Sequence, residues 1–216
     1  MKYKPDFKTM SAGQIINYIW DYYKIPIICL LFALISFISF IYKTVTSKEA
    51  ILDVILVNST SSYEGSMGLE DFILQEGLDP DKYEVHANSS FRLSFKEEHY
   101  ADDYYVVQTL IARLTNGDID IFGSNPEVFA ENAKEGYFVD LREVFSEQEL
   151  SAHESILVYT KANDSDTVYP CGFDLGSSAW NERYFFFNGE CQFGILYNAD
   201  DCETAKAFLD FAVNYN

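Results

Sequence analysis

Three histidines, four cysteines and 34 acidic residues carry what chemistry this 216-residue chain could perform. His86, His99 and His153 do not share the spacing of a metal-binding pair. Cys29 lies inside an apolar run, and Cys171, Cys191 and Cys202 stand 20 and 11 positions apart, which fits no zinc or redox motif. A Cys171–Cys191 bridge between neighbouring strands is conceivable, and buried apolar thiols are the plainer reading. Asp79/Asp81, Asp118/Asp120 and Asp164/Asp166 each form an Asp-x-Asp pair. A calcium loop needs more oxygen ligands at set positions and a turn glycine, so these pairs read as solvated faces, with Asp118/Asp120 at a strand edge. The chain carries no nucleophile elbow and no phosphate-cradling glycine loop. The expectation is a non-enzymatic protein with no metal and no cofactor.

Charge divides the chain in two. Residues 1–48 hold six Lys and two Asp, net +4, whereas residues 49–216 hold nine basic and 32 acidic residues, net −23. So acidic a surface argues against a nucleic-acid partner, which needs positive charge to neutralise phosphates. Between them, Ile25 to Tyr42 runs 18 residues without a charge. At about 1.5 Å per residue this reaches roughly 27 Å, close to a bilayer core. The reading is a transmembrane helix over 25–43, with Pro26 in its first turn. A buried core helix and a cleaved signal peptide are the alternatives. The run is longer than a signal core, and Lys48 and Glu49 flank the one plausible cleavage site. Lys2, Lys4, Lys8 and Lys24 precede the span and Lys43 and Lys48 follow it, so residues 1–24 are expected in the cytoplasm. Ile15, Ile16, Ile19, Trp20 and Tyr23 recur at helical spacing and predict an interfacial amphipathic helix.

Residues 49–216 are expected to form one extracytoplasmic α/β domain. The apolar β-branched run 51–57 predicts a buried strand. A helix from about Ser66 should bury Leu69, Phe72 and Ile73, with Gly77 and Pro80 ending it. Weaker strands follow at 83–87 and 91–95. Residues 104–117 predict a helix, 118–123 a strand, and Ser124-Asn125-Pro126-Glu127 a capped start to a helix ending at Gly136. Helix–strand–helix implies parallel pairing. Residues 138–145 suggest an extended piece and 146–153 a short helix. A hairpin over 156–161 and 167–173, a strand over 192–197 and a terminal helix from Asp201 complete the domain.

The stretch LIARLTNGDIDIFGSNPEVFAENAKEGYFVDLREVF (110–145), with VYPCGFDLGSS (168–178) and FGILYNADDCETAKAFLDFAVN (193–214), resembles the extracytoplasmic solute-binding proteins of bacterial ABC importers. Where that family carries a second lobe, about 15 residues stand here. The resemblance therefore implies one reduced lobe, with a mixed, mostly parallel sheet flanked by helices. It implies either small-molecule capture for an importer or recognition of an envelope or transporter protein at the outer membrane face.

Open α/β sheets bind ligands at the carboxyl ends of their strands. That nominates Asn58, Ser59, Ser124 and Asn125, with Asp174, Ser177 and Trp180 on the opposite hinge-like segment. The local readings are turn formers at 58–59, a helix cap at 124–125 and a core tryptophan at 180. Four successive aromatics, Tyr184-Phe185-Phe186-Phe187, cannot all face one core from a regular strand. Tyr184, Phe185 and Phe187 are therefore candidate contacts for a protein partner, unless the segment folds over the sheet.

Overall fold

The computed structural model describes residues 10–60, 64–66, 69–93, 100–163, 166–184 and 186–215, in two units, Met1–Ser47 and Lys48–Asn216. The described residues of the first unit form one helix, α1 (Ala12–Thr46). It runs through both the expected interfacial segment and the expected span, so the boundary near Lys24 is not a break. Pro26 lies inside the helix rather than in its first turn. There it removes one N–H, a defect that helices surrounded by hydrocarbon tolerate. At the other end the hydroxyls of Thr44 and Thr46 donate to the carbonyls of Phe40 and Tyr42, at 3.0 and 2.6 Å. Trp20–Thr46 is long and apolar enough to cross a membrane, and none of its most apolar window is buried within the protein.

The second unit is built on one mixed sheet of seven strands in the order β2-β3-β1-β4-β7-β6-β5. These are β1 (Glu49–Val57), β2 (Glu64–Ser66), β3 (Tyr83–Phe91), β4 (Ile121–Ser124), β5 (Leu157–Lys161), β6 (Val168–Asp174) and β7 (Gln192–Ile195). Only β1/β3 and β1/β4 pair in parallel; the other four pairings are antiparallel, so the sheet is not mostly parallel as expected. The reason lies in the connections. Parallel neighbours need a crossover, which α2 (Glu70–Gln75) and α3 (Tyr100–Asn116) supply. The short link from β5 to β6 allows only a hairpin. After α4 (Pro126–Lys134), the chain returns to the sheet edge through the short α5 (Glu147–Ala152).

Helices cover both faces. Leu52, Val54 and Leu56 of β1 pack with Phe72 and Ile73 of α2 and with Phe208, Leu209 and Phe211 of α7 (Cys202–Asn214). Ile55 and Val57 pack on the other face with Leu110 and Leu114 of α3 and Val128 and Phe129 of α4. Burial on both sides is what a continuous apolar central strand requires. Cys171 belongs to one of these cores and Cys191 to the other, and all four cysteines are free. The sheet separates the two thiols and rules out the bridge.

Several local expectations shift. The helix expected from Ser66 begins at Glu70, because 64–66 pair with β3 as β2. The strands expected at 83–87 and 91–95 merge into β3, which ends at Phe91. Residues 94 and 95 lie outside the described residues. Ordered β4 starts at Ile121, and Asp118 and Asp120 precede it.

Candidate functional site

The register places one residue from each of four strands in a row across the sheet. Val57 pairs with Ser124, Ser124 with Gln192, and Gln192 with Asp174. This row is the carboxyl end of the parallel strands, opposite the Glu49 end of β1. Strands β3 and β4 flank β1, so the two crossovers diverge there, the geometry in which open sheets form a ligand crevice. Sequence reasoning located this end of the sheet correctly. It did not place the residues in one site. Three strand spacings of about 4.8 Å separate β1 from β6 by roughly 14 Å.

Asn58 occupies the switch point. Its φ of +62° is the one positive value at a described non-glycine residue. Its amide nitrogen donates to the Leu93 carbonyl (2.8 Å) and to Asn125 Oδ1 (3.0 Å), and its Oδ1 accepts from the Leu93 N–H (2.8 Å). The side chain thus acts as a short strand partner for Leu93, tying the ends of β1, β3 and β4 together. Ser124 Oγ donates to the Asn125 carbonyl at 3.1 Å and is fully buried. Asn125 stands at the N-cap of α4 without a capping bond from its side chain, which is engaged by Asn58 instead. Asn125 is thus the N-cap residue, as expected at 124–125, and only the side-chain capping bond is missing. Ser59 is buried, its hydroxyl 3.4 Å from the Ser89 carbonyl.

At the other end of the row, Asp174 Oδ1 accepts from the Gly176 N–H at 3.0 Å, making a tight turn. Asp174, Ser177 and Ser178 rim a crevice of about 310 Å³ with Ser155, Ile156, Leu175 and Val213. Ser177 is exposed, whereas Ser178 is committed to starting α6 (Ala179–Tyr184): its hydroxyl donates to the Leu175 carbonyl and accepts from the Asn181 N–H.

Trp180 is not a wall of this crevice. It is fully buried, edge-on to Phe193 and Phe208, and its indole N–H has no hydrogen-bond partner. Of the aromatic run, Phe187 is buried and Tyr184 and Phe186 are half-buried. The run is not a strand: α6 ends at Tyr184 and a loop follows, so side chains need not alternate. Phe187 is 4% exposed against Phe193, with its N–H and carbonyl held by the Asn181 carboxamide. Tyr184 and Phe186 stack on each other beside Trp180, half-buried. Phe187 cannot offer a partner surface. Tyr184 offers only part of one, and Phe185 lies outside the described residues.

Other polar groups were not anticipated. Asp71 Oδ2 accepts from the hydroxyls of Tyr184 (3.2 Å) and Tyr215 (3.3 Å), joining α2, α6 and the end of α7. Burial pushes the Tyr184 hydroxyl well above its usual range. Near the other end of the sheet, His86 Nδ1 lies 2.7 Å from Asp53 Oδ1. Asp120, which is buried, accepts from the Asp53 and Asp200 N–H groups at 2.9 and 3.0 Å. Burial raises its carboxyl despite those donors. No spacing rule finds these groups, since each joins residues far apart in sequence. Among the described residues, no group of three or more His, Cys, Asp or Glu side chains is placed to hold a metal ion. No protein-family model, curated protein or solved structure matches this chain.

Proposed function

We propose that the chain is a membrane-anchored, non-enzymatic binding module. Residues 1–24 would lie in the cytoplasm and the acidic α/β domain outside, where it recognises a protein or ligand. The observation that carries the reading is the apolar window of α1, none of which is buried within the protein. Such a surface needs a covering, and hydrocarbon fits it. Lys24 and Lys43 bracket the window 19 residues apart, roughly 28 Å at helical rise, so both ammonium groups reach the two headgroup layers. Trp20, Tyr22 and Tyr23 near one bracket and Tyr42 at the other fit aromatic belts. The excess of lysine before the span favours an inward N-terminus.

For the domain, the reading is a single lobe of solute-binding type. Its support is the β3-β1-β4 order with diverging crossovers, together with the helix–strand–helix unit of α3, β4 and α4. A second reading, small-molecule capture for an importer, draws on the crevice beside Asp174 and Ser177.

Two experiments test the proposal. Alkaline extraction of membranes should leave the chain in the pellet at its full 24.8 kDa. A shortened, soluble product would mean a cleaved signal and would end the anchor reading. Cross-linking of the intact chain in its native membrane, with mass-spectrometric identification, should return an envelope or transporter protein. A midpoint of unfolding that rises with one amino acid, sugar or peptide, without any captured protein, would favour the capture reading.

A further inference from the structure

Among the described residues the sheet ends on one side at β5, whose inner neighbour is β6. No strand lies beyond β5 among the described residues, and Tyr159 and Lys161 on it are exposed. Such an edge presents unpaired backbone groups to any extended chain. Beside it lies a cleft of about 300 Å³ whose walls include Leu150, Leu157, Tyr159 and Pro170. Two carboxylates stand on its rim. Among the described residues Glu147 carries no side-chain ion pair, and Glu154 holds only the Tyr159 hydroxyl, at 3.0 Å. The one cation on that rim, Arg142, is held by Asp140 through both its Nε and a terminal nitrogen. The cleft therefore combines apolar walls with uncompensated negative charge, within a domain of net −23.

We propose that the free edge of β5 takes an extended, basic segment of a partner protein as an added strand. One lysine or arginine side chain of that segment enters the cleft. Its aliphatic stem lies along Leu150, Leu157 and Pro170, and its charge meets Glu147 and Glu154. Strand addition supplies affinity through main-chain hydrogen bonds, while a pocket for alternate side chains supplies selectivity. The excess acidity both steers a basic segment and disfavours a second copy of this chain as the occupant. The inference rests on the binding-module reading and names its partner class.

The test uses the full chain in detergent micelles and two fluorescein-labelled peptides, VKVKVKV and VEVEVEV. The basic peptide should bind and the acidic one should not, with amide exchange of residues 157–161 slowed by the bound peptide. The pair E147Q/E154Q should weaken binding roughly tenfold, about 1.4 kcal/mol, as the loss of two exposed charge pairs predicts. The pair E49Q/E84Q, four and five strands away across the sheet, removes the same charge and should leave affinity unchanged. Equal losses from both pairs, slowed exchange at another site, or no binding of the basic peptide would overturn the proposal. If membrane cross-linking still captures a protein in that case, the binding-module reading stands without the edge. If cross-linking captures nothing and no ligand raises the unfolding midpoint, that reading itself has failed.

Discussion

Asn58 makes the sharpest stability prediction, because one side chain carries two separable effects. Replacing it with Ala removes both bonds to the Leu93 backbone and the bond to Asn125. Leu93 is 9% exposed, so its N–H and carbonyl recover little water. At about 1 kcal/mol per orphaned group the loss is about 2 kcal/mol. Ala must also hold a φ of +62°, which costs about 1 kcal/mol more. Asn58→Ala should therefore destabilise the domain by about 3 kcal/mol. Asn58→Gly loses the same hydrogen bonds but tolerates the positive φ, so it should cost about 2 kcal/mol. For a domain of 168 residues these losses lower the melting midpoint by roughly 6–12 °C and 4–8 °C. Thermal unfolding of the full chain in micelles, followed by near-ultraviolet circular dichroism, measures both. The order matters more than the size. A Gly variant no more stable than the Ala variant would refute the left-handed conformation, and losses below about 0.5 kcal/mol in both would refute the latch.

Glu149 accepts from the Ser146 N–H at 2.6 Å and from Lys206 at 2.9 Å, which holds its carboxyl at about 2 instead of the usual 4.5. A depressed carboxyl stabilises the fold above its unfolded value and loses that contribution as pH falls through the folded one. The stability gap between wild type and Glu149→Gln should thus be widest above pH 4.5 and close toward pH 2, as read from denaturant midpoints; a gap independent of pH would contradict the pairing. Trp180→Phe removes an indole N–H that has no partner, offsetting the lost ring volume, so it should change stability by less than about 1 kcal/mol, whereas Trp180→Ala should cost about 3–5 kcal/mol. A large loss in the Phe variant would mean that the indole nitrogen is bonded. Burial pushes the Cys171 and Cys191 thiols up to about 12, so neither should react with iodoacetamide at pH 8 until the domain unfolds. Oxidation should likewise form no bridge between them, and mass spectrometry of labelled or oxidised protein would expose either failure.

How far the sequence could be read depended on how local each signal was. The apolar run 51–57 announced β1, and the Gly-terminated periodic stretch announced α3, because both patterns are complete within one element. Asp201 announced α7 and does accept from the Glu203 and Thr204 N–H groups. Strand direction was less legible. Parallel pairing in β3-β1-β4 follows from intervening helices, but whether β7 enters beside β4 antiparallel depends on contacts across 70 residues. The aromatic run misled for a related reason: alternation exposes side chains only if the segment is a strand, and here a helix end and loop turn Phe187 inward. Asn58 and Asn125 were picked out as ligand groups because of their place at strand ends. That place was right, and the sequence held no sign that the two amides satisfy one another.

The Asn58–Asn125 contact bears on what the domain can bind. In a two-lobed receptor, closure of one lobe on the other buries the ligand, and the strand ends stay open to receive it. Here the Asn58 amide at the switch point is consumed by Leu93 and by Asn125 Oδ1, and roughly 14 Å separate it from the groups at Asp174. A domain so arranged gains little from enclosing a small solute. The β5 edge offers a different kind of contact. Five residues at about 3.4 Å each give roughly 17 Å of strand, and a contact of that length and one strand wide buries far less than the roughly 1,000 Å² expected of a stable interface. Such docking is weak between freely diffusing proteins. Confined to one membrane, as proposed here, the two partners meet at an effective concentration set by their anchors. A contact too small to hold in solution is then sufficient. On this argument the anchor is part of the binding mechanism: releasing the domain from α1 should weaken capture of the partner far more than it weakens binding of the free peptide VKVKVKV.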